Sequence, residues 1–471
     1  MAADRRIARH VVAVNVAHMA ALVGAGEVDG KVGAKCVKFL MGASLGVPPN
    51  ARAEDFHQQL EQQAVDALGV ETAGFLNYGK SRNDQVAAAI RMELRERLNT
   101  LLGAIMGLQR ALLGQSRKHG TALVPGYTHL QRAQPITLAH HLFAYFDAFQ
   151  RDAERCLQLY ARVNLSPMGG AAMAGTAVRV DRRAVAESLG FDGVIRNAMD
   201  AVSSRDVAVE ALSCATMTMV DGSRLAEELI LWSTPEFGFI ELDDAYAASS
   251  SIMPQKKNAV AAEMVRAKAG SVMGGLVAAC SILKALPYSY NLDLQEVTPQ
   301  VWRALDETID SLEVLAGMVS TASIVSARMR DSLADDNSTA VALANYLVKE
   351  RGVSFRVAHA IVGQLVKTSF EAGEPLRKVV PSKIGSVSSR FGRRVTMEPG
   401  VARDLLDPRH FVETIATEGG SNPRFVAAGL KERQKDLIAA GSALSRAKAS
   451  LRASERRLNA IASGLAREVK S

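Results

Sequence analysis

Cysteine is scarce in this chain and poorly spaced for bridging. Cys36, Cys156, Cys214 and Cys280 are the only four in 471 residues and form no Cys-x-x-Cys pair, so neither a zinc centre nor a disulfide framework is indicated. Reduced thiols fit a cytoplasmic protein. Aromatic residues make up only 5%, which leaves Ala, Leu and Val to fill a core of packed helices. No apolar run approaches the roughly 20 residues of a membrane span. The opening Met1-Ala-Ala-Asp-Arg-Arg6 lacks the hydrophobic centre of a secretion signal. A Gly-rich dinucleotide fingerprint is also missing, and the expectation is a protein without membrane, metal, nucleotide or flavin. Net charge is +7, but residues 431–471 hold ten Lys/Arg against four Asp/Glu. The basicity therefore belongs to a C-terminal tail, and a uniformly basic face for nucleic acid is not supported.

Proline is infrequent too, and its spacing exposes the architecture, because Pro is tolerated in the first turn of a helix and disfavoured inside it. The long Pro-free stretches predict helices over 82–119, 135–164, 199–233, 257–285 and 299–330, the second and fifth opening at Pro135 and Pro299. Thirty helical residues span about 45 Å, well beyond an average globular helix, and such lengths imply a bundle. The third stretch carries Val207, Ala211, Cys214, Ala215, Met219, Leu225, Leu229 and Ile230, apolar around much of its circumference, as in a helix enclosed by several others. No strand-rich segment is read. In the tail, Leu444, Leu451, Leu458 and Leu465 recur every seven residues, which favours a helix over disorder and reads as a solvated helical hairpin. The expected fold is all-α, with an N-terminal helical domain over 1–81, a central long-helix bundle over 82–331, a C-terminal helical domain over 332–430 and a basic helical tail over 431–471.

Residues 249–258, Ser-Ser-Ser-Ile-Met-Pro-Gln-Lys-Lys-Asn, bring hydroxyls, two ammonium groups and a carboxamide together on a loop that enters a helix. That composition suits an anion, and an ammonium beside a serine can favour its ionised hydroxyl. Ser250, Lys256 and Asn258 are the candidates, with Glu263 on the following helix. Gly79-Lys-Ser-Arg-Asn-Asp-Gln-Val86 offers Ser81 and Asn83 as hydrogen-bond donors and Arg82 as a fixed charge for a carboxylate; its structural reading is a capped helix start. Pro125-Gly-Tyr-Thr-His-Leu-Gln-Arg-Ala-Gln-Pro135 places Thr128 and His129 on a Gly/Pro-bounded turn. There an imidazole titrating near neutrality suits proton transfer. His140 and His141, inside the next helix, read as structural.

These segments closely resemble the signatures of the fumarase/aspartase superfamily in the version carried by the argininosuccinate lyase family: Ser-Ser-x-Met-Pro-x-Lys-x-Asn, Ser-Arg-Asn-Asp-Gln and Gly-Tyr-Thr-His-Leu-Gln-x-Ala-Gln-Pro. Tyr290-Asn-Leu-Asp-Leu-Gln-Glu296, Ser204-Arg-Asp206 and Glu54-Asp-Phe-His57 are also in register. The resemblance implies a homotetramer around a twenty-helix core, each active site drawing on three subunits. It implies that Glu263 hydrogen-bonds His129 of another subunit, and that Tyr290 and Gln295 hold an amino-acid end of the substrate. Arg205, Asp55 and His57 would line the site, Asp55 as a partner for a guanidinium. Departures are Lys80, Asn77-Tyr78, Ser249, Ala259-Val260 and Thr298. A substrate-binding serine that the family carries in a leading stretch has no counterpart before Asp4, which bears on affinity more than on chemistry.

The implied reaction is the reversible β-elimination of N-(L-arginino)succinate to L-arginine and fumarate in arginine biosynthesis, without a cofactor. Ser250 is the candidate base, and His129 is either the acid or a shuttle to Ser250. The rival readings are a lyase of the same superfamily acting on aspartate, adenylosuccinate or malate, and a non-catalytic tetramer like the lens crystallins. A contact between the basic tail and a polyanion is a third.

Overall fold

Residues 4–45, 55–334 and 336–467 are described by the structure, a computed structural model. Glu54 of the Glu-Asp-Phe-His segment lies outside them. The N-terminal part holds α1 (Asp4–Gly24), α2 (Gly30–Gly42) and α3 (Phe56–Leu68). Asp29 and Asp55 cap α2 and α3 by accepting backbone N–H groups at their N-termini. By length and composition α1 would qualify for a membrane, contrary to the expectation from sequence. Yet Val11, Val14, Met19 and Leu22 on it are fully buried in protein.

The centre is built on α4 (Arg82–His119), 38 residues or about 57 Å long. Ser81 and Asp84 form a reciprocal capping box at its start, and Arg117, Lys118 and His119 meet the negative end of its dipole. Leu98, Leu101, Leu102, Leu108 and Leu112 on α4 are completely or almost completely buried, and each contributes about 1.5–3 kcal/mol of burial. A hairpin of β1 (Leu123–Thr128) and β2 (Gln131–Thr137) joins α4 to α5 (Leu138–Val163). After α6 (Asp206–Ser233), the two-residue strands β3 (Ala248–Ser249) and β4 (Lys257–Asn258) pair across a loop. Next come α7 (Val260–Leu283) and α8 (Leu294–Thr321). Helix α4 packs on α5 and α8, α6 on α5, α7 and α8, and α7 on α8, which makes the five one bundle.

Beyond it, α9 (Ala340–Arg351), α10 (Phe355–Ala372) and α11 (Leu376–Ser389) close a separate small core around Leu347, Ile361, Leu365 and Val380. The chain ends in α12 (Pro423–Arg467), 45 residues long, which returns to pack on α1, α2, α4 and α5.

Several expectations are corrected. Pro135 lies in β2 opposite Pro125, not at a helix start; both strands of a two-stranded hairpin are edges, where a missing N–H is tolerated. The helix begins three residues later, capped by Thr137. The stretch 199–233 is broken, because Ser204 and Arg205 leave the helical conformation between Ala198–Ser203 and α6. Helix α8 starts at Leu294, so Pro299 sits inside it. Lys257 and Asn258 are in a strand, not a helix. The tail is one helix rather than a solvated hairpin, with Leu437, Leu444 and Leu458 buried.

Candidate active site

The residues assigned from sequence fall into three groups on the chain. The first surrounds a small cavity of about 30 Å³ lined by Asp55, His57, Arg205, Tyr290, Gln295 and Thr298, residues from three stretches of sequence. Asp55 caps α3 by accepting Gln58 N–H at 2.7 Å. His57 follows in the first turn, buried, with Nδ1 3.3 Å from Gln85 Oε1 and a buried Nε2 that has no hydrogen-bond partner among the described residues. Burial lowers its pKa and keeps the ring neutral, against the pull of Asp55. Arg205 occupies the break before α6, donating Nη1 to Ser204 O at 3.0 Å and Val202 O at 3.3 Å. Burial, with Arg91 nearby, lowers its pKa to about 10, so it remains a cation. Gln295 Nε2 donates to Tyr290 Oη at 3.1 Å. The cavity thus offers a guanidinium, a carboxylate, a phenol and a carboxamide to a zwitterionic group.

The start of α4 adjoins this cavity through Arg82, whose guanidinium lies 3.8 Å from Asp55 and 3.4 Å from Glu61. Ser81 Oγ accepts Asn83 N–H at 3.3 Å, and Asn83 Nδ2 donates to Ala172 O at 3.0 Å. The capped-start reading of this motif is therefore correct for Ser81, while the side chains of Arg82 and Asn83 are half-exposed. Sequence reasoning missed three neighbours. Gln85 bridges His57 to Asn15. Lys80 is buried against Asn77 Oδ1 at 3.2 Å, and burial lowers its pKa to about 8. Asp84 is fully buried, and burial raises its carboxyl to about 6. The signal for Asp84 and Gln85 was present, as a polar pair directly ahead of the apolar run 86–90, but their partners come from distant segments.

In the second group, His129 and Leu130 form the two-residue turn of the β1–β2 hairpin, with φ of 55° and 59°. Positive φ at both positions is normally supplied by Asn-Gly. Side chains there store strain of roughly 1–3 kcal/mol each, a feature that clusters at functional sites. Thr128 and His129 are exposed. His140 and His141 lie in α5 as expected; His141 Nε2 is 2.9 Å from Glu228.

In the third group, Ser250 opens the loop between β3 and β4, and its Oγ accepts Met253 N–H at 3.1 Å and Ile252 N–H at 3.4 Å. Its own N–H donates to Lys256 O at 3.0 Å. Helix α7 begins ten residues later, so two local amides rather than a helix terminus face this hydroxyl. Lys257 is tied to Asp244 at 2.6 Å and to Leu242 O at 2.5 Å, whereas Lys256 is exposed with no side-chain partner among the described residues. Asn258 is half-exposed in β4, and Glu263 is exposed in the first turn of α7. Among the described residues no hydrogen bond or ion pair links the three groups. One chain presents three separate parts, the first partly buried and the other two facing outward.

Among the described residues, His10, Glu93 and Glu96 could hold a metal, their ligand atoms lying within 4.8 Å of one another. Arg9 already bonds Glu93 at 2.9 Å and Glu96 at 2.7 Å, supplying a cation there.

Long helices packed into one bundle, with a serine loop and a histidine turn on the same chain, define a lyase of the fumarase/aspartase superfamily. Residues 43–274 match the family described as Lyase, and residues 337–413 match the argininosuccinate lyase C-terminal family. The argininosuccinate lyase of Methanoculleus marisnigri is 43% identical over 451 residues, 93% of this chain and 89% of its own length. That of Methanothrix thermoacetophila is 41% identical over 461 residues, 97% of this chain and 93% of its own. An EDDS lyase solved with formate superposes with a TM-score of 0.92 at 29% identity, over 98% of this chain and 92% of that one. The chain belongs to the argininosuccinate lyase family.

Proposed function

We propose that the protein cleaves N-(L-arginino)succinate to L-arginine and fumarate, reversibly, in the cytoplasm, as a homotetramer whose sites are each completed by three chains. The observation that carries this reading is that Asp55, Arg205, Tyr290 and Gln295 line one cavity, too small at about 30 Å³ for an arginine in the separate chain but charged to complement its amino-acid end and guanidinium. Arg82 and Asn83 at its rim, with Thr128, Lys256 and Asn258 of neighbouring chains, suit the succinyl carboxylates. Ser250 takes the Cβ proton, and the electron pair left behind spreads onto the adjacent carboxylate, which Lys256 and Asn258 stabilise. The Cα–N bond then breaks: the pair held on the carboxylate returns to form the Cα=Cβ double bond of fumarate, and the pair of the broken bond leaves with the guanidino nitrogen. That nitrogen takes a proton from His129, which Glu263 of another chain orients and keeps protonated. The two N–H groups on Ser250 Oγ support its role, because they favour an ionised oxygen.

Support for the assembly comes from α6 and α7, which expose Met217, Val220, Met264, Met273 and Val277 in the middle of a bundle; apolar stripes of this kind mark contacts with further chains. Free thiols at Cys36, Cys156, Cys214 and Cys280 support a reducing compartment. The test is ultraviolet detection of fumarate with argininosuccinate, aspartate and adenylosuccinate supplied separately. Turnover of argininosuccinate alone, unchanged by EDTA, is the expected result. Equal or faster turnover of either alternative would overturn the substrate, and no fumarate from any would return the structural-tetramer reading.

A further inference from the structure

Next to Asn83, a carboxylate with no part in the chemistry gathers main-chain N–H groups from the start of its own helix and from one distant segment. Asp84 Oδ1 accepts Ser81 N–H at 3.1 Å, and Oδ2 accepts Gly169 N–H at 3.2 Å and Ala171 N–H at 2.9 Å. Its side chain is completely buried. The segment it grips has an unusual backbone: Gly169 has φ of 80° and Ala171 has φ of 51°. At Gly169 a Cβ would come within 2.5 Å of the Arg182 side chain, which Arg182 Nε fixes by donating to Met168 O at 2.8 Å. Ala171 does carry a Cβ, and an alanine holds the left-handed conformation only where its surroundings enforce it. The bond from its N–H to Asp84 is that enforcement. One residue on, Ala172 O accepts Nδ2 of Asn83.

We infer that Asp84 is a positioning residue: by pinning Gly169 and Ala171 it sets the Ala172 carbonyl that orients the Asn83 carboxamide toward the substrate. The inference rests on the reading of Asn83 as a substrate-binding group. With one Nδ2 hydrogen directed at Ala172, the remaining N–H and Oδ1 of Asn83 face the half-exposed side of the helix start, a fixed arrangement that binds a carboxylate with less ordering on arrival. Without the grip of Asp84, Ala171 relaxes out of its left-handed conformation, Ala172 O moves and the carboxamide turns freely.

A double-mutant cycle tests this. Asp84→Asn keeps the shape but sets an NH2 group against backbone N–H donors. It is expected to lower kcat/KM at least tenfold, mainly through KM, in tetramers of unchanged size. In an Asn83→Ala background the same substitution should change kcat/KM less than twofold. Ala171→Gly, which reaches positive φ unaided, should restore at least half of the loss on a logarithmic scale when combined with Asp84→Asn. This pair also carries the test if Asp84→Asn alone does not assemble. A loss of equal size in both backgrounds would overturn the positioning role while leaving the site intact. An Asn83→Ala enzyme within twofold of the parent would instead show that Asn83 does not bind substrate, and both readings would fall.

Discussion

At Ser250 the choice between a catalytic and a structural hydroxyl comes down to what its oxygen receives. Two backbone N–H groups converge on Oγ, the arrangement of a serine turn and equally of a stabilised alkoxide. Kinetics separate them. Ser250→Ala is expected to lower kcat by several orders of magnitude with KM within about tenfold, because an interaction made in the transition state appears in kcat. Ser249→Gly at the adjacent position should retain activity. Ser249 does not use positive φ, and its backbone pairs with Lys257 in the ladder, so the hydroxyl is dispensable. Retention of more than a tenth of wild-type kcat by Ser250→Ala would leave it a turn residue and move the proton acceptor to His129. Ser250, His129 and Asn83 could be named as candidates from sequence because each sits in a contiguous segment of suggestive composition. Asp84 and Lys80 lie in the same motif and were not assigned, since burial gives both their character, and Asp84 takes two of its partners from 85 and 87 residues away.

Among the elements, α4 was readable to the residue: Ser-Arg-Asn-Asp supplies a cap and an acidic third position, and Arg-Lys-His closes it. Pro135 misled because a proline suits a helix start and a strand edge alike, and only the pairing with Pro125 decides. The break at Ser204–Arg205 carries no Gly or Pro; the side chain of Arg205, drawn into the cavity, marks it. Packing between α5 and α6 gives a prediction of its own. Asp152 on α5 is fully buried; Oδ1 accepts Arg155 Nη1 at 2.8 Å, while Oδ2 has no hydrogen-bond partner among the described residues. Burial first, and the like charge of Asp221 on α6 second, push its carboxyl up to about 7. The native state therefore holds this proton more tightly than the unfolded chain, whose Asp titrates near about 4. The stability it contributes is full below that value and lost as pH rises through about 7. Asp152→Asn, neutral throughout, should raise Tm by a few degrees above pH 7 and hardly at all near pH 4. Thermal melts across that range check it, and a gain independent of pH would contradict the account.

For the whole molecule, the decisive fact is that His129 and Glu263 both face outward and do not meet within one chain. Mixed tetramers of a His129→Ala chain and a Glu263→Gln chain should regain activity that neither parent shows, through sites that combine both native groups, and light scattering should give four chains. A fully active monomer would refute shared sites. This layer was the least legible from sequence, because an apolar stripe reads alike whether it faces its own core or a neighbour. The methionines in that stripe carry a further consequence. Met217, Met264 and Met273 are 42–57% exposed on the separate chain, and a thioether in the open is readily oxidised to a polar sulfoxide. On the proposed assembly, a newly made chain is most vulnerable to oxidants in the interval before it meets its partners. Damage there would act as a time-stamp, removing slow assemblers from the pool while the proposed tetramer shields the same thioethers.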